Sequence, residues 1–367
     1  MALQFEKPID GDVLFSFADG TPDGKSLTTS AVLRADAGKK ILINGILTRE
    51  NPSGIYTAEI RLDGYRNAVE AVDSNSGESQ TIYIYWFENG YKTYRLGVDD
   101  VIWCFENLYK NQEHYHSIFE DPFLAVYKEL HDTYQTKVHM HLFYENQDGS
   151  FNLSMFPDKY KQEFIKNADW LKFTFHSRAE FPDSPYKHAS YAQTFQEGKE
   201  VEREIRRFAG SEVLSNVTSQ HWADSNLYAT RAFRALGYKI IDGYFLFDEN
   251  GEPYVSYYLN QEQTAHAHSR DFWVDNKEDI IFVKDDIIIN EVELNGIDGY
   301  MERLYHGEDH AFMYLLIHEQ YFYKDYIGYQ PDYKERIFRT VQWCVGHGYR
   351  SAFLSDIAFE NRLCQPR

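Results

Sequence analysis

The sequence predicts an α/β chain: an all-β opening segment followed by repeated strand–helix units. Three observations predict it. Up to about residue 95 the chain consists of short β-branched or aromatic runs separated by Gly, Asn, Asp and Ser. From Leu96 onward apolar strands alternate with amphipathic helical stretches. Several of those later strands end in ionisable residues, which is where parallel α/β folds keep their chemistry.

In the opening segment the runs Ala31–Arg34, Lys40–Leu47, Tyr56–Leu62 and Thr81–Phe87 read as strands. Turn-rich breaks such as Asn51-Pro52-Ser53-Gly54 and Asp73-Ser74-Asn75-Ser76-Gly77 separate them. This spacing suggests a small antiparallel sandwich over 1–95. No ionisable cluster there exceeds what a surface would carry, so covering the next domain is its expected role, with carbohydrate binding as the alternative. The second domain, 96–367, opens with Leu96-Gly97-Val98-Asp99-Asp100-Val101-Ile102-Trp103, an apolar run interrupted by two adjacent carboxylates. Phe123–Tyr134 follows as helix, and Lys137–Glu145 alternates like a strand. Then come a helix over Lys159–Ala168, a strand Trp170–Phe175 ending at His176, and a charged helix over Thr194–Phe208. A strand over Val213–Ser219 ends at His221-Trp222-Ala223-Asp224. A helix over Leu227–Leu236 is closed by Gly237, and a strand runs over Tyr238–Phe245. Residues 246–310 hold hairpin-like pieces. Ala311–Ile317 is a buried strand ending at His318-Glu319, Tyr333–Gly346 is the last clear helix, and Ser351–Leu354 a final short strand. These units point to a parallel sheet, open or closed into a barrel.

Length and composition bound the partners. The chain has 367 residues, enough for two cored domains, and a formal net charge of -20. That charge argues against nucleic acid or an anionic membrane surface, and it suits a divalent cation or a neutral or cationic substrate. No stretch reaches the length of a membrane span. The start MALQFEKPIDGD shows no basic and apolar leader pattern, so a cytoplasmic location is expected. Cys104, Cys344 and Cys364 are scattered and indicate neither a disulfide framework nor a thiolate metal site.

The residues that stand out for chemistry are Asp99, Asp100, His176, His221, His318 and Glu319, all at predicted strand ends. One carboxylate with two imidazoles is a usual ligand set for zinc or another first-row divalent metal, leaving a position for water. His139 and His141 share one strand face, where a hydrogen-bonded interior role is expected. His266, His268, His306 and His310 are expected at the surface. Asp242 ends another strand and suits support of a histidine. Tyr186, Trp222, Tyr244 and Trp273 are candidates for stacking on a sugar ring, against ordinary packing. No Gly-rich phosphate loop precedes a helix and no Gly-x-Ser-x-Gly elbow occurs, which disfavours nucleotide binding and serine hydrolysis.

On these motifs the chain resembles the polysaccharide deacetylase (NodB-like) family within the glycoside hydrolase/deacetylase barrel superfamily. The resemblance covers about residues 96–355 and implies a distorted (β/α) barrel. Asp99-Asp100 is similar to the family's Asp-Asp pair, implying Asp99 as general base and Asp100 as metal ligand. His176-Ser177-Arg178-Ala179-Glu180 is similar to its His-(Ser/Thr)-x-x-His motif, with Glu in place of the second His. The Arg-x-Pro motif is absent; its counterpart is His221-Trp222-Ala223-Asp224-Ser225-Asn226, before a helix and Leu236-Gly237-Tyr238. Leu315-Leu316-Ile317-His318 is similar to the last motif, implying His318 as general acid. The metal ligands implied are Asp100 and His176, with Glu180, His188 or His221 as the third, on a divalent metal: zinc, with nickel or cobalt as alternatives. The implied function is a metal-dependent hydrolase removing acetyl groups from a carbohydrate or acetylated amino-sugar substrate, with Tyr186, Trp222, Asp242 and Tyr244 toward that substrate. The alternatives are a glycoside hydrolase using Asp99, Asp100 or Glu319 as its carboxylates, and a non-catalytic carbohydrate-binding protein with a decayed site.

Overall fold

The computed structural model describes residues 2–307 and 310–359, and Cys364 lies outside them. These residues form two compact units. The first comprises residues 2–91, 272–279 and 356–359; the second comprises 92–271 and 280–355. The boundary expected near residue 95 falls inside a strand, Thr93–Val101, which belongs to the second unit.

The first unit is built from two five-stranded sheets. In one, Ser26–Arg34 lies between Gln4–Lys7 and Ile55–Leu62, with Arg49–Glu50 at the far edge. In the other, Ser79–Phe87 pairs in parallel with Val13–Phe15 and antiparallel with Arg66–Asp73, which in turn pairs Ile41–Ile43. Alternate residues of both sheets meet in one apolar core that includes Leu27, Leu33, Ile43, Ile60, Val69 and Ile84. The run Lys40–Leu47 is two strands rather than one. Asn44 and Gly45 have φ of 48° and 79°, a pair of left-handed residues that turns Ile41–Ile43 back on Ile46–Leu47.

The second unit supplies the strands named here β1 to β8. They are β1 (Thr93–Val101), β2 (Val138–Phe143), β3 (Leu171–Ser177), β4 (Val217–Ser219), β5 (Ile240–Gly243), β6 (Ile280–Lys284), β7 (Ile287–Ile288) and β8 (Phe312–His318). Their pairings with one another are all parallel: β3-β2-β1-β8-β7 in one sheet and β4-β5-β6 in another. A bridge from Phe173 to Leu214 leads from the first sheet toward β4. Only Asp285 and Asp286 separate β6 from β7, so the chain itself passes from the second sheet back to the first. The sheet is thus partly curled, with helices on its outer side as parallel strands require. The helices begin and end where caps occur. Pro122–Tyr134 starts on Asp121, whose side chain accepts from the Leu124 amide. Leu227–Leu236 runs from Asn226 to Gly237, whose φ of 104° stops it. Their apolar faces meet the outward residues of β1–β3 in a large core that includes Leu96, Val98, Leu108, Phe123, Met140 and Phe173. The last segment is a two-residue strand, Arg350–Ser351, followed by a short helix, Leu354–Ala358. His266 and His268 belong to a helix, Gln261–His268. Among the described residues no helix is long and apolar enough to cross a membrane.

The concave side of the curled sheet is polar. Arg95, Gly97 and Asp99 alternate along β1 and so share one face, as His139 and His141 do along β2. Arg95, Asp99, His139, His141, His176, Ser219 and Asp242 are all buried there. Barrels are ordinarily filled by branched aliphatic side chains.

Candidate metal centre

Two adjacent strand residues normally point to opposite faces. Asp99 and Asp100 do not, because β1 carries a bulge there. Val98 pairs Met140 and Val101 pairs Leu142, so Asp99 and Asp100 together oppose the single residue His141. Asp100 takes φ of 62°, a left-handed conformation that Asp tolerates better than most residues. The helix Trp103–Lys110 follows at once. Its first amides are held by Glu319: one carboxylate oxygen accepts from Ile102 and Trp103 at 2.6 and 2.8 Å, the other from Cys104 at 2.8 Å. Glu319 is therefore an anchor for the chain behind the Asp pair. Burial pushes its carboxyl up to about 7 against those three amides. This corrects the expectation of Glu319 as a catalytic carboxylate, because both of its oxygens are committed to backbone.

Two sets of donors converge: Asp100 with His176 and His221, and Asp99 with His141 and His176, the ligand atoms within each set lying within 4.8 Å of one another. Hydrogen-bond partners fix the protons of the first set. His176 Nδ1 faces the Ser219 carbonyl, and His221 Nε2 faces the Glu180 carbonyl at 3.0 Å. A carbonyl only accepts, so each of those nitrogens carries the proton. The other two nitrogens, His176 Nε2 and His221 Nδ1, then present lone pairs to each other at 3.2 Å. Asp100 Oδ1 stands 3.0 Å from the first and 3.2 Å from the second. Three electron-rich atoms at such distances repel unless a proton or a cation sits among them. Without a cation the site draws a proton: burial opposes charge on His176, but Asp99 and Asp100 outweigh it and raise the imidazole to about 9. Two imidazoles and a carboxylate, each imidazole braced by a carbonyl on its far nitrogen, are the donor set of an open zinc-type site. The residues present fit a divalent metal.

Around this set, Gln320 Nε2 donates to Asp100 Oδ2 at 2.8 Å and to Glu180 Oε2 at 3.0 Å. Glu180 thus contributes its carbonyl to His221 and its carboxylate to Gln320. Its side chain is half-buried, and burial and Asp100 raise its carboxyl. His221 supplies the second imidazole that the motif at 176–180 lacks. His188 is exposed and lines a separate cavity of about 830 Å³ with Lys187, Asp224, Asn226, Glu252 and Tyr258. It is not among the converging donors, which corrects that option; its loop turns away to the surface.

Asp99 accepts from Ser219 Oγ at 2.7 Å and from His141 Nδ1. Burial opposes its charge, yet His176 and His141 hold its carboxyl well below the usual range. His318 pairs Asp99 in register on the neighbouring strand, so the two stand side by side. Asn290 Oδ1 accepts from both the His318 amide, at 3.1 Å, and Nδ1, at 3.0 Å, which leaves Nε2 uncommitted.

The residues expected toward substrate divide. Trp222 is 42 % exposed, beside His221 with ring centroids 5.8 Å apart, and φ of 67° turns it outward. Tyr186 is fully buried and donates to Glu197 at 2.8 Å, so its ring is core and not a platform. Asp242 is buried and accepts from Tyr314; burial, with Asp99 adding to it and Arg95 opposing, puts its carboxyl at about 7. Tyr244 is half-buried with an enclosed hydroxyl. Trp273 packs in the first unit and donates to the Asp10 carbonyl at 3.0 Å. Sequence reasoning missed Arg95, Ser219, Asn290 and Gln320. For Arg95 the signal was present, a cation two residues before Gly97 on the face that holds Asp99.

No family model matches the sequence, and no curated protein matches it. A candidate polysaccharide deacetylase from Mycobacterium smegmatis is similar over 74% of this chain and 90% of its own, at 8% identity and a TM-score of 0.43. EndoBT-3987 from Bacteroides thetaiotamicron, solved with Man9GlcNAc2Asn, is similar over 87% and 89% respectively, at 10% identity and a TM-score of 0.30.

Proposed function

We propose that this chain is a metal-dependent hydrolase that removes acetyl groups from a carbohydrate, within a distorted (β/α) barrel. The observation that carries the reading is the convergence of two imidazole lone pairs and the Asp100 carboxylate, with Asp99 alongside. Asp100, His176 and His221 would hold the metal. A divalent cation there supplies a Lewis acid that acidifies water and polarises an acyl oxygen. Asp99, kept ionised by its neighbours, takes the proton from the attacking water. His318 acts as the imidazolium: anchored through Nδ1–H to Asn290, it gives its Nε2 proton to the leaving amine or alcohol and is left as the neutral Nδ1–H form. Gln320 and Ser219 hold the two aspartates in place without taking part in proton transfer. The carbohydrate part of the reading rests on the motif resemblance and on Trp222, an exposed ring next to a metal-binding histidine. The test is metal analysis of the purified chain, followed by acetate release from an N-acetylglucosamine pentamer with zinc, nickel or cobalt. One equivalent of metal and chelator-reversible acetate release are expected. A chain that takes up no metal and releases no acetate, yet binds the oligomer, would be a binding protein instead.

A further inference from the structure

We infer that Arg95 and His141 form a buried relay that locks His141 as the Nδ1–H tautomer and, through that hydrogen, holds Asp99 as a proton acceptor outside the metal's ligand set. The inference rests on the reading of Asp99 given above and deepens it. Its starting point is a guanidinium only 1 % exposed. Arg95 Nη2 stands 2.7 Å from His141 Nε2 and 3.0 Å from His139 Nδ1. A guanidinium donates and never accepts, and this terminal nitrogen has two hydrogens, one for each ring. Both facing ring nitrogens are therefore lone pairs. The proton of His141 is left on Nδ1, and Nδ1 faces Asp99 Oδ1.

The chain makes room for this arrangement. A Cβ at Gly97 would fall 2.9 Å from Arg95 Nη1 and 3.1 Å from the Tyr314 hydroxyl, so a side chain there would crowd the guanidinium. The Tyr314 ring lies 4.3 Å from the guanidinium carbon and covers it. The bulge completes it: because Asp99 and Asp100 together oppose His141, His141 reaches Asp99 while Asp100 turns toward His176 and His221.

This geometry decides between the two converging sets. They share His176 Nε2, whose single lone pair serves one ion. An ion on Asp99, His141 and His176 needs a lone pair on His141 Nδ1. That would move the His141 proton to Nε2, against an Arg95 N–H at 2.7 Å. The metal belongs to the Asp100 set, and His141 is a positioning residue for Asp99.

The test uses the full chain with 15N-labelled histidine, before and after zinc is added. The His141 resonances, assigned by their loss in His141→Asn, are expected to show the Nδ1–H tautomer and to stay unmoved by zinc, while His176 and His221 shift. A His141 resonance of the Nε2–H form, or one that shifts on zinc loading with those of His176, would overturn the relay. A second arm measures zinc-loaded hydrolysis of 4-nitrophenyl acetate and of the N-acetylglucosamine pentamer. His141→Leu is expected to lower kcat by roughly 10- to 100-fold with KM little changed. His141→Asn, whose amide N–H can sit where Nδ1–H does, is expected to recover part of it. Equal loss in both variants would overturn the positioning role. No turnover in the wild-type chain would count against the hydrolase reading alone, because the nitrogen spectra decide the relay on their own.

Discussion

The two units bury opposite kinds of surface. The first holds an apolar cluster between its two sheets, with Leu27, Ile43, Ile60, Val69 and Ile84 in it. The concave side of the curled sheet in the second buries Arg95, Asp99, His139, His141, Asp242 and Tyr314. Each apolar side chain of the first kind contributes roughly 1.5–3 kcal/mol on burial. Each ion of the second kind costs several kcal/mol to desolvate before its partners offset it. The second unit can bear that cost because its stability comes from the outer side of the sheet, where Leu108, Phe123 and Met140 pack with the helices. The difference separates scaffold from chemistry: a wholly satisfied apolar interior asks for no ligand, whereas two imidazole lone pairs aimed at one carboxylate do.

The sharpest way to break this comparison is at the adjacent aspartates. Asp99→Asn should leave zinc bound and lower turnover roughly 100- to 10,000-fold, since only the proton acceptor is lost. Asp100→Asn should weaken zinc binding by more than the roughly 10- to 100-fold that supporting residues cost, because an amide is a poor ligand. Zinc titration of both variants checks this, and equal zinc affinity for wild type and Asp100→Asn would remove the proposed centre. In the other unit, Ile60→Ala should cost about 2–5 kcal/mol of stability. Chemical denaturation would measure that, and zinc stoichiometry below the transition should stay as in the wild type. If Ile60→Ala altered zinc binding, the division into scaffold and site would be wrong.

A smaller effect sharpens the comparison inside the second unit. Glu319 supports the site without being in it, and its carboxyl is raised to about 7 from an ordinary value of 4.5, by burial. The folded chain therefore keeps a proton that the unfolded chain has lost between those two values. This contribution to stability is complete below about pH 4.5 and is lost as pH rises through about 7, amounting to about 3 kcal/mol. Glu319→Gln should flatten that part of the stability–pH curve, and denaturation midpoints from pH 5 to 8 would show it. A variant with the same slope as the wild type would mean that Glu319 is ionised throughout.

Much of the second unit was legible in the sequence because its elements are long and periodic. The helix Leu227–Leu236 has the ends that its caps indicate, and Tyr333–Gly346 those that its apolar spacing indicates. The strand ends at Asp99, His176 and His318 were legible too, as ionisable residues closing apolar runs. What could not be read depended on contacts between distant residues. No local pattern tells that Asp99 and Asp100 form a bulge, because a bulge is defined by the partner strand. Nor does any local pattern tell that Glu319 turns back to cap a helix more than two hundred residues earlier in the chain. Residue types alone left Glu180, His188 and His221 as alternatives for the third donor for the same reason: a backbone carbonyl, invisible to residue-type reasoning, is what orients His221. In the first unit, the strand Arg66–Asp73 went unread because its Arg, Asn, Glu and Asp outnumber the buried Val69 and Ala71 that hold it in the sheet.

The smallest effect expected is at Trp222, and it tests whether the exposed aromatic next to the polar interior serves a ligand. A tryptophan held outward at φ of 67° is not there for its own burial, since 42 % of it remains exposed. Its removal should therefore leave stability almost unchanged, unlike Ile60→Ala. Alanine is the informative replacement: it removes the ring but keeps a Cβ at the left-handed position, whereas glycine would also relax the backbone. If the ring stacks on a sugar, Trp222→Ala forfeits about 0.5–1.5 kcal/mol of contact. That corresponds to a rise in KM for the N-acetylglucosamine pentamer of roughly 2- to 10-fold. Zinc affinity should not change, because the ligand atom belongs to His221 and its tautomer is set by Glu180. Hydrolysis of 4-nitrophenyl acetate, which has no sugar ring, should be unaffected. Equal effects on both substrates would show that Trp222 acts through His221 rather than on a carbohydrate.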